Sequence, residues 1–316
     1  MRLLPGLGLL VLAWCGAARA ADDPESLFRP QVQVEADPAA WYSPALFSPK
    51  PKPQQGDWMQ AHPEPAQSFQ EFVAAQPARP TVGRHTIYIS QLGSMVPKDR
   101  ARMAVLREYL EAYYKLPVRL GPPVGLEGVT SRERLMPDRP VRQYLSSDIL
   151  DKTLPPLLPK DGMCLLAVTM EDLYPQESWH YVFGQANLKT RVAVYSLVRF
   201  FPAFWGEEWS VAAERKGLKR SLATLVHESG HMLGVRHCQM YECVMNGSIS
   251  LAESDRRSVH LCPECLKKFR WSTGFDVVGL YEGLKKFYAV HGMAAEAAWA
   301  DKRLAECRKA GAAPAK

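Results

Sequence analysis

The sequence predicts a layered α/β or α+β fold, and three observations carry that expectation. Short β-rich apolar runs are interrupted by one amphipathic helical stretch, a second long helical stretch follows them, and hydrophobic residues make up 47% of 316, enough for a full core. His85-Thr86-Ile87-Tyr88-Ile89 is the first β-rich run. Pro97, followed by Arg100 to Leu116, predicts a helix with Met103, Leu106, Leu110 and Tyr113 on one face. Val118 to Leu120 and Cys164 to Met170 read as further strands, the latter continuous enough in apolar character to be buried on both sides. Tyr181 to Ala186 and Arg191 to Phe200 follow as another pair, with the first of them the candidate sheet edge. No internal repeat is present.

Charge narrows the function classes. Basic residues number 39 against 33 acidic, a net charge of +6 with no long run of one sign, which is too weak a balance to predict nucleic-acid binding. No apolar run reaches the roughly 20 residues of a membrane-spanning helix. Residues 1–20 have the form of a secretory signal: Arg2 at the start, an apolar stretch from Leu3 to Cys15, and Ala18-Arg19-Ala20 as a small-x-small cleavage site. The expected location is therefore secreted or periplasmic, or cytoplasmic if the leader reflects a wrongly chosen start codon. A lipoprotein reading would acylate Cys15, but Trp14 is a poor residue before such a cysteine. Residues 21–82 hold 11 of the 25 prolines and predict an extended arm. Trp41, Tyr42, Trp58, Phe69 and Phe72 in that arm predict that it lies on the body of the protein and buries its rings.

The second long helix is expected from about Leu218 to Leu233. At about 100° per residue, Leu222, Leu225, Val226, Met232 and Leu233 share one arc while His227 and His231 lie together on the other side. Four residues apart on a helix, two histidines stand one above the other and can reach a single ion, which is why His-x-x-x-His suits zinc. Glu228 projects beside that pair, where it can touch a water without ligating the metal. The motif then extends through Gly234 to His237. A continuing helix would carry His237 roughly 15 Å along the axis from His227, so the chain must turn, and Gly234 is where it can. Three histidines leave a tetrahedral ion one open position, the arrangement of a catalytic zinc. Gly230 inside the helix costs on the order of 1 kcal/mol against alanine, which predicts that something packs closely there.

A second constellation follows directly: Cys238, Cys243, Cys262 and Cys265, ending in a Cys-x-x-Cys knuckle. Four thiolates at this spacing fit a closed structural zinc site; the alternative is a pair of disulfides, which a secretory leader would favour. Lys267, Lys268 and Arg270 beyond the knuckle are interleaved with acidic residues nearby and read as a solvated surface. His62, His85, His180, His260 and His291 have no metal-spaced partner, Cys164 reads as a small buried hydrophobe, and Cys307 as a thiol on a C-terminal helix that could alternatively pair with Cys164. Asn246-Gly247 is a turn signal.

Taken together, His227-Glu228-x-x-His231-x-x-Gly234-x-x-His237-Cys238, then Cys243-x-Met245, then Cys262-x-x-Cys265 resembles the archaemetzincins of the metzincin clan of zinc metallopeptidases. The resemblance extends to Asp57-Trp58, His62-Pro63-Glu64, Phe69 and Phe72, Asp172 to Pro175, Ser178-Trp179, Phe183 to Ala186 and Asp255 to Arg257, and so covers about residues 57–285. It implies a metzincin-like α+β fold: a mixed twisted sheet with a backing helix and an active-site helix, followed by a smaller C-terminal subdomain with a zinc knuckle. It also implies a catalytic zinc on His227, His231 and His237, Glu228 as general base, Met245 in a Met-turn beneath the metal, and a second zinc on the four cysteines. The expected organisation is a leader over 1–20, an arm over 21–82, a catalytic subdomain over 83–234 and a C-terminal subdomain over 235–316. The expected activity is peptide-bond hydrolysis on a peptide or protein substrate by a monomer with two zinc ions. A non-catalytic two-zinc protein or peptide-binding module is the competing class, against which the open three-histidine shell and Glu228 both argue. A zinc-ribbon nucleic-acid binder is weaker still, for want of a basic stripe.

The leader yields the first testable expectation. Mass spectrometry of the mature N-terminus should find Ala21; a cytosolic species beginning at Met1 or Arg2 would refute export, and one beginning at a modified Cys15 would restore the lipoprotein reading.

Overall fold

In a computed structural model, which describes residues 34–311, the apolar run Gly162–Thr169 is buried at every position because it forms a central strand. The leader assigned to residues 1–20 lies outside the described residues. The chain begins with an arm carrying two short helices, α1 (Trp58–Ala61) and α2 (Phe69–Ala74), the second opened by a capping box between Ser68 and Glu71. Then come β1 (Thr86–Leu92), α3 (Pro97–Tyr114), β2 (Val118–Leu120) and a hairpin of β3 (Ser131–Leu135) and β4 (Pro140–Leu145). The short turn α4 (Ser146–Asp148) leads to β5 (Gly162–Thr169), β6 (Asp172–Tyr174), β7 (Gly184–Asn187) and β8 (Val192–Ser196). Helices make up the rest: α5 (Val211–Met232), α6 (Leu251–Arg256), α7 (Pro263–Thr273), α8 (Val277–Val290) and α9 (Ala294–Gly311).

The main sheet runs β2-β1-β5-β8-β7, parallel except for β7, which pairs antiparallel with β8 and forms one edge. Side chains alternate between its faces. Cys164, Leu166, Val168, Ala193 and Tyr195 enter the large core beneath α3 and α5, while Leu165, Ala167, Val192 and Val194 pack on the other face against Ile149, Leu150 and Leu154. This is the mixed sheet with backing and active-site helices that the α+β expectation describes. None of the helices in the described residues is long and apolar enough to cross a membrane.

Several elements differ from expectation. Ser210 caps α5 by accepting from Ala213 N, so the helix begins at Val211 rather than near Leu218, with Gly217 inside it. Its histidine face is not open either. Every residue from Ser221 to Gly230 is buried, because the segment after the helix packs back against it, with Val244, Met245 and Arg257 against His227, Gly230 and Thr224. The edge strand is Gly184–Asn187 instead of Tyr181 to Ala186, and the expected strand to Phe200 stops at Ser196 and closes in a 3-10 turn. The β3-β4 hairpin was not foreseen: Ser131-Arg-Glu-Arg-Leu135 is exposed and charged, and carries no apolar alternation. With β6 it makes a second sheet in the order β3-β4-β6.

The arm does bury its rings. Phe72 is fully enclosed, Phe69 nearly so, and Trp41 and Tyr42 pack on the core. At the far end of the chain, Arg303 is fully buried and donates to the carbonyls of Ala40 (3.3 Å) and Trp41, while Trp299 Nε1 donates to Leu46 O (3.4 Å). The two sheets are locked together by Asp172. Its carboxylate accepts from Arg199 Nε and Nη2, both at 2.7 Å, and from Gln143 Nε2 at 2.7 Å, and the guanidinium lies 3.9 Å over the Tyr181 ring. With side chains only 4% and 1% exposed, this pair loses little to solvent screening. Arg199→Met, which strands the carboxylate, should cost about 3–5 kcal/mol of stability by urea denaturation, whereas Arg199→Met with Asp172→Leu should cost clearly less.

Candidate metal centre

Met232 is the last residue of α5, and Gly234 then takes φ +80°, turning the chain back as the sequence requires. The turn is closed by hydrogen bonds from Gly234 N to His231 O (2.7 Å) and Val235 N to Gly230 O (3.1 Å). As a result, a ring nitrogen of each of His227, His231 and His237 lies within 4.8 Å of the others. They line the floor of a cleft of ≈ 380 Å³, whose walls include Trp58, Trp179, Phe183, Gly184 and Thr224.

The hydrogen bonds behind the rings settle their tautomers. His227 Nδ1 donates to Val244 O (2.9 Å) and His231 Nδ1 to Val235 O (2.7 Å). A carbonyl can only accept, so each Nδ1 carries the proton and each Nε2 is a lone pair. Those two Nε2 atoms face each other at 3.0 Å. Burial, reinforced by neighbouring positive charge, holds the His227 pKa well below its ordinary value, and burial takes His231 down to about 3. Two neutral rings with opposed lone pairs repel unless a cation lies between them. The donor set therefore fits zinc, which takes neutral imidazole nitrogen. His237 Nδ1 donates to Glu64 Oε1 (2.7 Å), a partner on the arm. Burial would raise the Glu64 carboxyl, but hydrogen bonds from His237 and Trp58 outweigh it and hold it down at about 2.

Glu228 stands beside this set and outside it. Burial pushes its carboxyl up to about 8, against the pull of Arg257. Its carboxylate lies directly over Gly184 of the edge strand, where a Cβ would fall 2.5 Å from Oε1. Arg257 is buried and donates to Thr224 Oγ1 (2.9 Å), one helical turn before His227. Beneath α5, a Cβ on Gly230 would meet Met245 Sδ at 2.6 Å and Phe269 at 2.8 Å, which supplies the close neighbour that the glycine foretold.

The second cluster lies next to the first. The Sγ atoms of Cys238, Cys243, Cys262 and Cys265 lie within 4.8 Å of one another, all four residues buried, with Cys238 and Cys262 3.6 Å apart. Hydrogen bonds from the other three thiols pull the Cys238 pKa well below its ordinary value. The six described cysteines are free thiols, Cys164 and Cys307 among them, so neither disulfide alternative is taken. Asn246 pegs the loop: Oδ1 accepts from Cys243 N (2.8 Å) and Nδ2 donates to Cys238 O (2.8 Å) and Tyr241 O (3.0 Å). The sequence marked Asn246 only as a turn residue, and gave Glu64, Trp58, Trp179 and Arg257 no role at the site. Of the remaining histidines, His260 stacks on Trp299 at 3.6 Å, and His62 stacks on Trp179 at 4.8 Å, behind the wall of the cleft.

Sequence comparison with known proteins identifies the family. The model of peptidase family M54 matches residues 149–271. Archaemetzincin-2 of Rattus norvegicus is 34% identical over 271 residues, covering 77% of this chain and 75% of the relative, and Archaemetzincin-2 of Homo sapiens is 34% identical over 272 residues, covering 77% and 74%. The crystal structure of the archaemetzincin from Archaeoglobus fulgidus is 30% identical, spans 58% of this chain and 99% of its own, and superposes with a TM-score of 0.44. The protein is thus a zinc metallopeptidase. Within that class, the chain belongs to the archaemetzincin family.

The contact at Gly230 can be tested directly. Gly230→Ala forces Met245 and Phe269 apart in a filled core and should cost about 1–3 kcal/mol of stability in chemical denaturation; an unchanged midpoint would show that the space is not closed.

Proposed function

We propose that the protein hydrolyses peptide bonds with zinc held by His227, His231 and His237 and with Glu228 as general base, and that Cys238, Cys243, Cys262 and Cys265 hold a second, structural zinc. The observation that carries this reading is the pair of opposed Nε2 lone pairs at 3.0 Å on the floor of the cleft, with a carboxylate next to them that is not one of the donors. Four free thiols converging in a buried pocket support the second ion. In this reading residues 83–234 provide the helix and the edge strand, and residues 235–316 the third histidine and the cysteine cluster. Residues 1–20 direct export.

When bound, zinc supplies Lewis acidity, which makes water nucleophilic near neutral pH and polarises a carbonyl. The proton steps fall to Glu228, which accepts from the attacking water and hands the proton to the departing amine. Burial raises the proton affinity of the Glu228 carboxylate, which suits it to taking a proton from water, while Arg257 pulls the other way. The substrate has a natural rail. Among the described residues strand β7 pairs only with β8, so its outer edge can take an extended peptide by backbone hydrogen bonds, and Gly184 on it brings that edge against Glu228. Trp58, Trp179 and Phe183 offer apolar walls to the side chains alongside.

Elemental analysis should give two zinc ions per chain. A chelator should remove the histidine-bound ion first, since its ligands are neutral and one position is open, and leave the thiolate-bound ion longer. Glu228→Ala should abolish cleavage of a proteome-derived peptide library with both ions retained, whereas His231→Ala should lose the first ion. Undiminished turnover by Glu228→Ala would assign the base elsewhere.

A further inference from the structure

Residues 57–67 of the arm reach the metal centre. The segment is fastened to α6 from both sides: Trp58 N donates to the two oxygens of Glu253 (3.0 and 3.1 Å), and Asp57 pairs with Arg256. From there the Trp58 ring stands edge-on to His237 at 5.1 Å, and its indole N–H donates to Glu64 Oε1 at 2.5 Å. That oxygen also accepts from His237 Nδ1. Three further hydrogen bonds hold the stretch carrying His237. Gln67 Nε2 donates to Gly234 O (3.1 Å) while its Oε1 accepts from Arg236 N (3.1 Å), and Gln239 Nε2 donates to Glu64 O (2.7 Å).

His237 needs this support more than the other two. His227 and His231 stand on one helix and lean on backbone carbonyls, whereas His237 lies past the helix in a stretch without regular structure. Among the described residues, the one hydrogen bond its ring nitrogens make is to Glu64, 173 residues away.

We infer that Glu64 is the positioning residue of His237, so that the N-terminal arm completes the metal centre instead of merely covering the core. Accepting from Nδ1–H fixes the tautomer that leaves Nε2 as a lone pair facing the other two. The negative charge behind the ring also makes that nitrogen a stronger donor, the role a carboxylate plays behind a metal-bound imidazole. Trp58 holds the carboxylate in place by its indole N–H, so the same segment that walls the cleft also sets its floor. This inference rests on the three-histidine reading proposed above.

The test measures metal rather than turnover. Full-length protein is titrated with zinc against a chromogenic chelator, the cobalt(II)-substituted protein is examined by visible absorption, and docking of the arm is followed by its resistance to protease. Glu64→Ala should weaken zinc at the histidine centre by about 10- to 100-fold and shift the cobalt bands, with the cysteine-bound ion and the arm's protease resistance unchanged. Glu64→Gln, which keeps an acceptor oxygen without the charge, should fall between wild type and Glu64→Ala. Wild-type affinity and cobalt spectrum in Glu64→Ala would overturn the inference. So would equal losses in both variants accompanied by protease sensitivity of the arm, which would make Glu64 an anchor only. His231→Ala separates this failure from a deeper one: if it loses the ion while Glu64→Ala keeps it, only the positioning role falls, and if both keep it, the three-histidine centre falls as well.

Discussion

Imidazole nitrogens brought face to face in a buried cleft are the constraint on which the rest of the structure depends. Two of them come from adjacent turns of α5, and their opposed lone pairs can be held together only if each ring is pinned from behind. The acceptors that pin them, Val244 O and Val235 O, lie on the chain that follows the helix, so that chain must fold back under α5. Gly234 makes the reversal possible, and Gly230 lets Met245 slide close beneath the helix once the chain has turned. The parallel sheet gives α5 a rigid bed, and the edge strand β7 lies where Glu228 can meet whatever pairs with it.

The two clusters are built from one stretch of chain. His237 and Cys238 are consecutive, Met245 and Asn246 are consecutive, and Asn246 ties the carbonyls of Cys238 and Tyr241 to the amide of Cys243. Cys238 N in turn donates to Met245 O (2.8 Å). A loop this short cannot be ordered at one end and loose at the other. Organising the cysteine cluster therefore sets the direction from which the third histidine approaches, so that an ion held there would bear on the cleft without touching the substrate.

Much of the centre is legible in the sequence because its signals are local. A spacing of four on a helix, a glycine at the turn and a Cys-x-x-Cys knuckle are each readable within a dozen residues, and the apolar run through Cys164 announces a strand covered on both faces. What escaped has no local signature. Glu64 and Trp58 meet His237 across more than 170 residues, and a carboxylate in a proline-rich arm looks like any solvated charge until the fold brings it in. The β3-β4 hairpin escaped because β3 is charged, with no apolar alternation, and stands at the outer side of the second sheet. The helix starts upstream of the expected Leu218 because Ser210 supplies the cap before Val211, and Gly217 is carried inside it.

The docking of the arm also dictates an order of events during synthesis. Its partners are made last: 195 residues separate Trp58 from Glu253, and 263 separate Ala40 from Arg303. At about 5–20 residues per second, the arm must wait on the order of ten seconds to a minute after leaving the ribosome before those two partners exist. During that interval the rings that dock on the C-terminal helices have no burial site, and the proline density keeps the arm from forming more than short helices of its own. The N-terminal segment is thus the first part translated and among the last to find its place, and the cleft gains its Trp58 wall only once the C-terminal helices have emerged.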